Sequence, residues 1–418
     1  MTIKTKYIHN DIRQSNLSII LRIIREKSPI SRAELAKITK LTRSTVSSLV
    51  DELISLCYIE EIGHSHTNSV GKKPTLLSIR TDKLFSLAVN FSGNEITVAK
   101  VDLNGNCSNI NKKTMDDPPF ELLVEELIEM INNALVDIKK NEQVNAGIGV
   151  AFPGPVHKGE ILFPAAFKSL EGCNLADILY ENFNCQIYIA NNADSAALAE
   201  SWFGKYYNVR SLVFILIDQG IGCGIVIDNN LYYGNNKLTN EFGHIIINAN
   251  STSCFCGNNG CLASLASDRA VLRFAPKELL QKLSLTTDSD PAANDVLKII
   301  EYLNDDPNVL SDVISEVSNY LGIGVANLID MFVPDVILLE GSLLNIPVLI
   351  DKVNQAAAKY VHPIFKNSFR IRKSQLGQNA PLIGAGAFLL KDLYFNPLKT
   401  MDRNIENKQS ANKIINNN

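Results

Sequence analysis

Residues 211–234 read SLVFILIDQGIGCGIVIDNNLYYG. Two apolar, β-branched runs flank a short polar break, and each run is strand length. Gly220, Gly222 and Gly224 suit a tight return between them. The same design occurs upstream in KLFSLAVNFSGNEITVAKVDLNGN, residues 83–106, which folds back near Gly93. Paired glycine turns of this kind predict two similar lobes facing a cleft. The intervening segments agree. PFELLVEELIEMINNALVDIKKN, 119–141, carries the spacing of an amphipathic helix. NAGIGVAFPGPV, 145–156, is a buried strand running into a Gly/Pro loop, and QIYIANNADSAALAESWFG, 186–204, is a strand, a polar switch at Asn191–Asn192 and an Ala-rich helix. VSNYLGIGVANLIDMFVPDVILLEGSLL, 317–344, reads helix, strand, loop. Strands alternating with helices define an α/β body.

Ahead of that body lies a different pattern. NLSIILRIIREK, 16–27, has helix spacing at Leu17, Ile20, Leu21 and Ile24, and Pro29 stops it. Ser31 and Glu34 form a capping box for a short helix over 32–38. Thr42 caps a third helix with an apolar stripe at Val46, Leu49, Val50, Leu53 and Ile54. Its outward residues are Arg43, Ser44, Thr45, Ser47 and Ser48, small and polar with one arginine, the set that a helix entering a major groove requires. YIEEIGHSHTNSVGKKPTLLSIR, 58–80, reads as two strands and a basic turn bearing Lys72 and Lys73. Helix, capped helix, polar-faced helix and basic hairpin make a winged helix-turn-helix. Double-stranded DNA is its expected partner, met through Arg32, Thr42, Arg43, Ser44, Thr45, Ser47, Ser48, Lys72 and Lys73.

Charge points the same way. The chain has 418 residues and a net charge of −4, but residues 1–80 hold 13 basic against 7 acidic groups, while the remainder holds 27 against 37. A basic head on an acidic body suits a polyanion at one end. The length implies more than one domain. No run of about 18 apolar residues exists, so no membrane span is expected. The first residues lack the apolar core of a signal peptide. Eight cysteines are too scattered for a disulfide framework, which fits the cytoplasm. Cys57, Cys107, Cys173, Cys185 and Cys223 read as buried small hydrophobes.

The other three cluster. EFGHIIINANSTSCFCGNNGC, 241–261, places Cys254, Cys256 and Cys261 after His244. Three thiolates and an imidazole make a closed, structural Zn²⁺ set with no coordination position left for a reacting water.

The body resembles the ROK family, which groups sugar-responsive repressors and sugar kinases on a two-lobed, actin-like or ribonuclease-H-like fold. GIGVAFPGPV (147–156), EFGH (241–244), CFCGNNGC (254–261) and LIGAGAFLL (382–390) carry the resemblance. The head, SRAELAKITKLTRSTVSSLVDELISLCYIEE (31–61), is similar to that of the family's xylose and N-acetylglucosamine repressors. The implied organisation is a head over 1–80, a first lobe over 81–190 completed by a helix near 380–396, a second lobe over 191–379 carrying the metal, and a disordered Asn-rich tail over 397–418. The implied sugar contacts are Asn191, Asn192, Glu241 and His244.

The resemblance also marks departures. Family kinases place a catalytic Asp after the Asn; here it is Asn192, and an amide cannot accept the hydroxyl proton. Their first phosphate turn is Asp-x-Gly-Gly-Thr; here it is NFSGN, 90–94. Their second is Gly-Thr-Gly-x-Gly; here it is DQGIG, 218–222. A non-enzyme is expected. Ala263 stands where the family has a sugar-binding Glu, and Asn240 replaces a glycine before Glu241. The expected function is a sugar-responsive repressor of carbohydrate genes, a homodimer or homotetramer released from its operator by a sugar or sugar phosphate. The alternatives are a regulator whose body no longer binds sugar and acts through dimerisation or a protein partner, and an active ATP-dependent sugar kinase.

Overall fold

A computed structural model describes residues 2–64, 74–136, 143–164, 166–234, 240–285, 295–305 and 309–398. The head runs α1 (Thr2–Lys27), β1 (Ile30–Ser31), α2 (Arg32–Thr39), α3 (Arg43–Ser55), β2 (Ile59–His64) and β3 (Thr75–Ile79). The capping box forms: Ser31 accepts from the Glu34 N–H, and the Glu34 carboxylate accepts from Ser31. The Thr42 hydroxyl accepts from the Thr45 N–H at 3.2 Å, starting α3. β3 pairs antiparallel with β2 and β1, giving a winged helix. α1 begins well before the apolar pattern at Leu17; residues 11–16 are mostly exposed, and Arg13 ties that stretch to Glu52 at 2.7 Å. Lys72 and Lys73 lie outside the described residues, as does most of the tail, from 399 on.

The first body sheet contains β4 (Leu84–Ser92), β5 (Glu95–Asp102), β6 (Cys107–Thr114), β7 (Val144–Phe152) and, after the β8–β9 hairpin (Val156–His157, Glu160–Ile161), β10 (Ile187–Asn191). Helices α4 (Phe120–Leu135) and α5 (Leu175–Phe183) cover it, and α6 (Asn192–Phe203) leaves from β10. The second sheet contains β11 (Ser211–Ile217), β12 (Ile221–Ile227), β13 (Asn230–Leu231), β14 (Val336–Gly341) and β15 (Ile371–Lys373). Around it lie α7 (Leu262–Ala266), α8 (Asp268–Phe274), α9 (Lys277–Lys282), α10 (Asp295–Asp305), α11 (Ser311–Phe332) and α12 (Leu349–Tyr360); α13 (Ala380–Phe395) follows. Strand orders are β6-β5-β4-β7-β10 and β13-β12-β11-β14-β15. Each is an antiparallel trio extended by two parallel strands, so the sheets repeat one topology, and the two glycine turns occupy matching places.

The closing helices cross over. α6 leaves the first sheet and packs on β11 and β12, whereas α13 leaves the second and packs on β4 and β7. They lie against one another between the sheets. Two glycines permit this: a Cβ at Gly384 would strike the Ser195 carbonyl, and one at Gly224 would strike the Ala193 carbonyl. The head packs on the same helices. Leu17, Ile20, Leu21 and Ile24 join one core with Leu389, Leu393 and Tyr394. Tyr58 donates to the Pro397 carbonyl at 3.1 Å. Of the five scattered cysteines only Cys223 is buried; Cys57, Cys107, Cys173 and Cys185 are half-buried, which corrects the expectation for those four. Cys57 sits in a left-handed turn after α3 and Cys107 opens the exposed edge strand β6, so neither reaches a core centre. Among the described residues, no helix is long and apolar enough to cross a membrane.

Candidate functional site

A cleft of about 530 Å³ separates the lobes. Strand β10 and helix α6 meet at its floor. Asn191 caps α6: its Oδ1 accepts from the Ala193 N–H at 2.8 Å, and its Nδ2 donates to the Gly154 carbonyl at 3.1 Å. Asn192 is 5% exposed and donates to the Phe91 carbonyl at 2.8 Å. Among the described residues its Oδ1 has no hydrogen-bond partner, nor has that of Asn90. A buried acceptor left so costs about 1–3 kcal/mol, which a ligand hydroxyl can recover.

The second lobe supplies the opposite wall. Asn240 takes φ 66°, a left-handed conformation that asparagine tolerates better than other side chains. Its Nδ2 reaches Asp194 at 3.5 Å. Burial raises the Asp194 carboxyl to about 7. Glu241 and His244 flank a short 3-10 turn, with the carboxylate 3.9 Å from His244 Nε2. Partial burial raises Glu241, and His244 opposes that shift. Asp218 is also raised, first by burial, although it accepts a hydrogen bond from Ser92 and lies near Arg269. Ser92 and Asp218 stand at the two glycine turns, near enough to interact. Asp268, which opens α8, is raised to about 8 by burial and by Asp218, and it accepts from Ser342 at 2.6 Å.

The cysteine loop stands beside this wall. His244 Nδ1 lies 3.6 Å from Cys254 Sγ, and Cys256 Sγ lies 3.6 Å from Cys261 Sγ. All four ligand atoms fall within 4.8 Å of one another. A tetrahedron with metal–sulfur bonds of about 2.3 Å has edges of about 3.8 Å, so the donors could hold one ion. Gly257 and Gly260, at φ 92° and 69°, turn the loop around that centre. His244 thus presents Nδ1 to the cluster and Nε2 toward Glu241 and the cleft.

In the head, Thr42, Arg43, Ser44 and Ser48 are exposed, while Thr45 and Ser47 are half-buried. Arg32 is engaged internally, with Asp51 at 2.8 Å and Glu61 at 3.0 Å. Sequence reasoning missed four cleft residues. Asp194 follows Asn191 by three positions, about one helical turn, and that spacing was available as a signal. Phe163 and Phe255, and separately Tyr188 with Phe388, meet only in three dimensions. Phe163 and Phe255, from opposite lobes, stack at 6.0 Å and 11°. Phe255 also meets His244 edge-on at 5.0 Å.

A winged helix on a two-lobed, sugar-kinase-like body defines the class. The ROK family model matches residues 86–392, and a winged helix-turn-helix DNA-binding model matches residues 18–56. The chain belongs to the ROK family. It is 28% identical over 381 residues to the xylose repressor of Bacillus spizizenii, an alignment covering 91% of this chain and 96% of that one. A solved ROK family transcriptional regulator, described as a homologue of the Escherichia coli MLC protein, superposes with a TM-score of 0.75 at 25% identity, covering 95% of this chain and 100% of its own. A ROK glucokinase from Streptomyces griseus shares the body fold: TM-score 0.63, 24% identity, 73% of this chain and 98% of that one.

Proposed function

We propose that the protein is a sugar-responsive, DNA-binding transcriptional repressor of carbohydrate genes whose kinase-like body is a non-catalytic effector and oligomerisation module. The observation that carries the reading is the joining of an exposed, capped recognition helix to a cleft with a sugar-sized pocket in which the residue after Asn191 is an amide, Asn192, and not a carboxylate. Asn192 donates to a backbone carbonyl where a kinase needs a carboxylate.

In this reading Arg43, Ser44 and Ser48 reach base edges and phosphates, with Thr42, Thr45 and Ser47 beside them and Lys72 and Lys73 on the wing. Arg32 braces α2, α3 and β2 and contributes indirectly. Asn191, Asn192, Glu241 and His244 bind sugar hydroxyls. Zn²⁺ is the metal whose geometry the His244, Cys254, Cys256 and Cys261 set matches, and when bound it supplies architecture: it locks the loop. His244 is then held through Nδ1 and offers Nε2 to a hydroxyl beside Glu241. A homodimer or homotetramer places two heads about 34 Å apart on one operator face. Sugar binding shifts the lobes, and with them the head spacing, in proportion to its preference for the released state.

Operator binding measured with and without saccharides, alongside ATP turnover, tests this. The expected result is DNA affinity that falls with one class of sugar and no sugar-dependent ATP consumption. Phosphorylation of a sugar would refute the non-catalytic reading. Cys256→Ser is expected to lose bound zinc and lower the melting temperature; full zinc retention would remove Cys256 from the ligand set.

A further inference from the structure

The cleft does not end at the pocket under Asn192. A second chamber of about 510 Å³ opens beside the first, and the two share Pro155, Asn191 and Glu241. Together they offer roughly 1,000 Å³, the upper range of small-molecule sites and far more than one sugar ring fills. Tyr188, Tyr233 and Asp194 line the second chamber. The two phenol oxygens lie 3.2 Å apart, and the Tyr188 ring is fixed by stacking on Phe388 at 4.1 Å. Phenol rings with hydroxyls at their edges suit a saccharide, which presents C–H faces and a hydroxyl rim.

Two further observations narrow the ligand. Phe163 and Phe255 stand 6.0 Å apart, and a sugar ring between them needs about 7 Å, two van der Waals contacts. A ligand in the first chamber therefore extends past Asn191 and Glu241 rather than between the phenylalanines. The described residues lining the first chamber include Asp218 and Glu241 but no lysine or arginine. Phosphoryl groups are ordinarily held by such cations. Lys158 belongs to the second chamber and is exposed at its edge.

From this we infer that the effector is an unphosphorylated saccharide of at least two linked rings, one under Asn192 and Glu241 and the next against Tyr188 and Tyr233. The inference rests on the sugar-responsive reading and specifies its ligand. Calorimetry on the full, zinc-loaded chain tests it with xylose and xylobiose, glucose with maltose, cellobiose and sucrose, N-acetylglucosamine and its β-1,4 dimer, and the 6-phosphates of glucose and N-acetylglucosamine. One disaccharide is expected to bind at least about ten-fold more tightly than its own monosaccharide. Ala176→Trp, which projects into the second chamber, should erase that advantage and leave monosaccharide affinity intact; Tyr233→Phe should lose part of it, and decides the matter if the tryptophan variant does not fold. A monosaccharide binding as tightly as every disaccharide, or a sugar phosphate binding best, overturns the inference while the sugar-responsive reading stands. Silence across the whole panel overturns both.

Discussion

Helices α3 and α6 both begin at a side-chain cap and both carry many polar residues, yet they use them in opposite ways. In α3 the polar set faces water, over a buried stripe of Val46, Leu49, Val50 and Leu53. In α6 every residue from Asn192 to Trp202 is buried. A polar helix surrounded by protein must satisfy its groups internally. Ser195 donates to the Asn191 carbonyl and Ser201 to the Leu198 carbonyl, while Glu200 Oε1 accepts from Ser374, Gln375 and Leu376. Two acceptors of α6, Asn192 Oδ1 at the pocket and Glu200 Oε2 near the far end, have no hydrogen-bond partner among the described residues. The difference lies in where a ligand can reach: α3 presents an outer face, whereas α6 meets the pocket with its first turn.

α6 also joins the two sites. Its twelve residues span about 18 Å. Asn191 and Asn192 lie at the pocket end; at the other, Trp202 lies 4.1 Å beneath the Arg25 guanidinium of α1, which also covers Tyr394 at 5.1 Å. Burial lowers the Arg25 pKa, and the aromatic faces offset part of that cost. α6 therefore touches the pocket at one end and the head at the other.

The contrast can be broken by substitution. The largest effect is expected at the crossing of α6 and α13, where Gly384→Ala pushes a methyl into the Ser195 carbonyl and should cost about 3 kcal/mol, read as a melting temperature several degrees lower. Ser48→Ala on α3 should stay within about 0.5 kcal/mol in the same assay. Next comes Arg43→Ala, expected to weaken operator binding by about 1–3 kcal/mol with unchanged melting; equal affinity would remove Arg43 from the interface. Third is pH. The folded carboxyls of Asp194 and Asp268, raised to about 7 and about 8, exceed the ordinary 3.8. Their protonated forms favour the fold, so that contribution is complete below pH 4 and is lost as pH rises toward 8. The slope is at most about 1.4 kcal/mol per pH unit per group, and denaturant titrations of Asp268→Asn should be flatter than those of the parent chain. Thr42→Ala is expected to cost about 1 kcal/mol through the lost α3 cap, a smaller loss than at the crossing.

Much of this was legible in sequence because it rests on local rules. Capping at Ser31 and Thr42 follows from residue type and spacing, and the glycine turns at Gly93 and Gly220–Gly224 follow from strand-length apolar runs. The metal set was readable because three ligands fall within eight residues of one another. What was not legible depends on distant contacts. Nothing in EFGH or CFCGNNGC says that Phe255 will meet Phe163 from the other lobe. The role of Arg32 was obscured because Asp51 and Glu61, which occupy it, lie on other elements. The packing of α6 on β12 and on α13 is written only in small residues such as Gly224 and Gly384, whose need appears once the elements are packed.

Trp202 is the single tryptophan of the chain and sits at the junction of head and body. The most direct test of the account is to titrate the effector while recording Trp202 fluorescence and operator binding on the same sample. The account predicts that both change with one midpoint, because pocket occupancy at one end of α6 repositions the head at the other. Saturable sugar binding that leaves the fluorescence and the DNA affinity unchanged would contradict it.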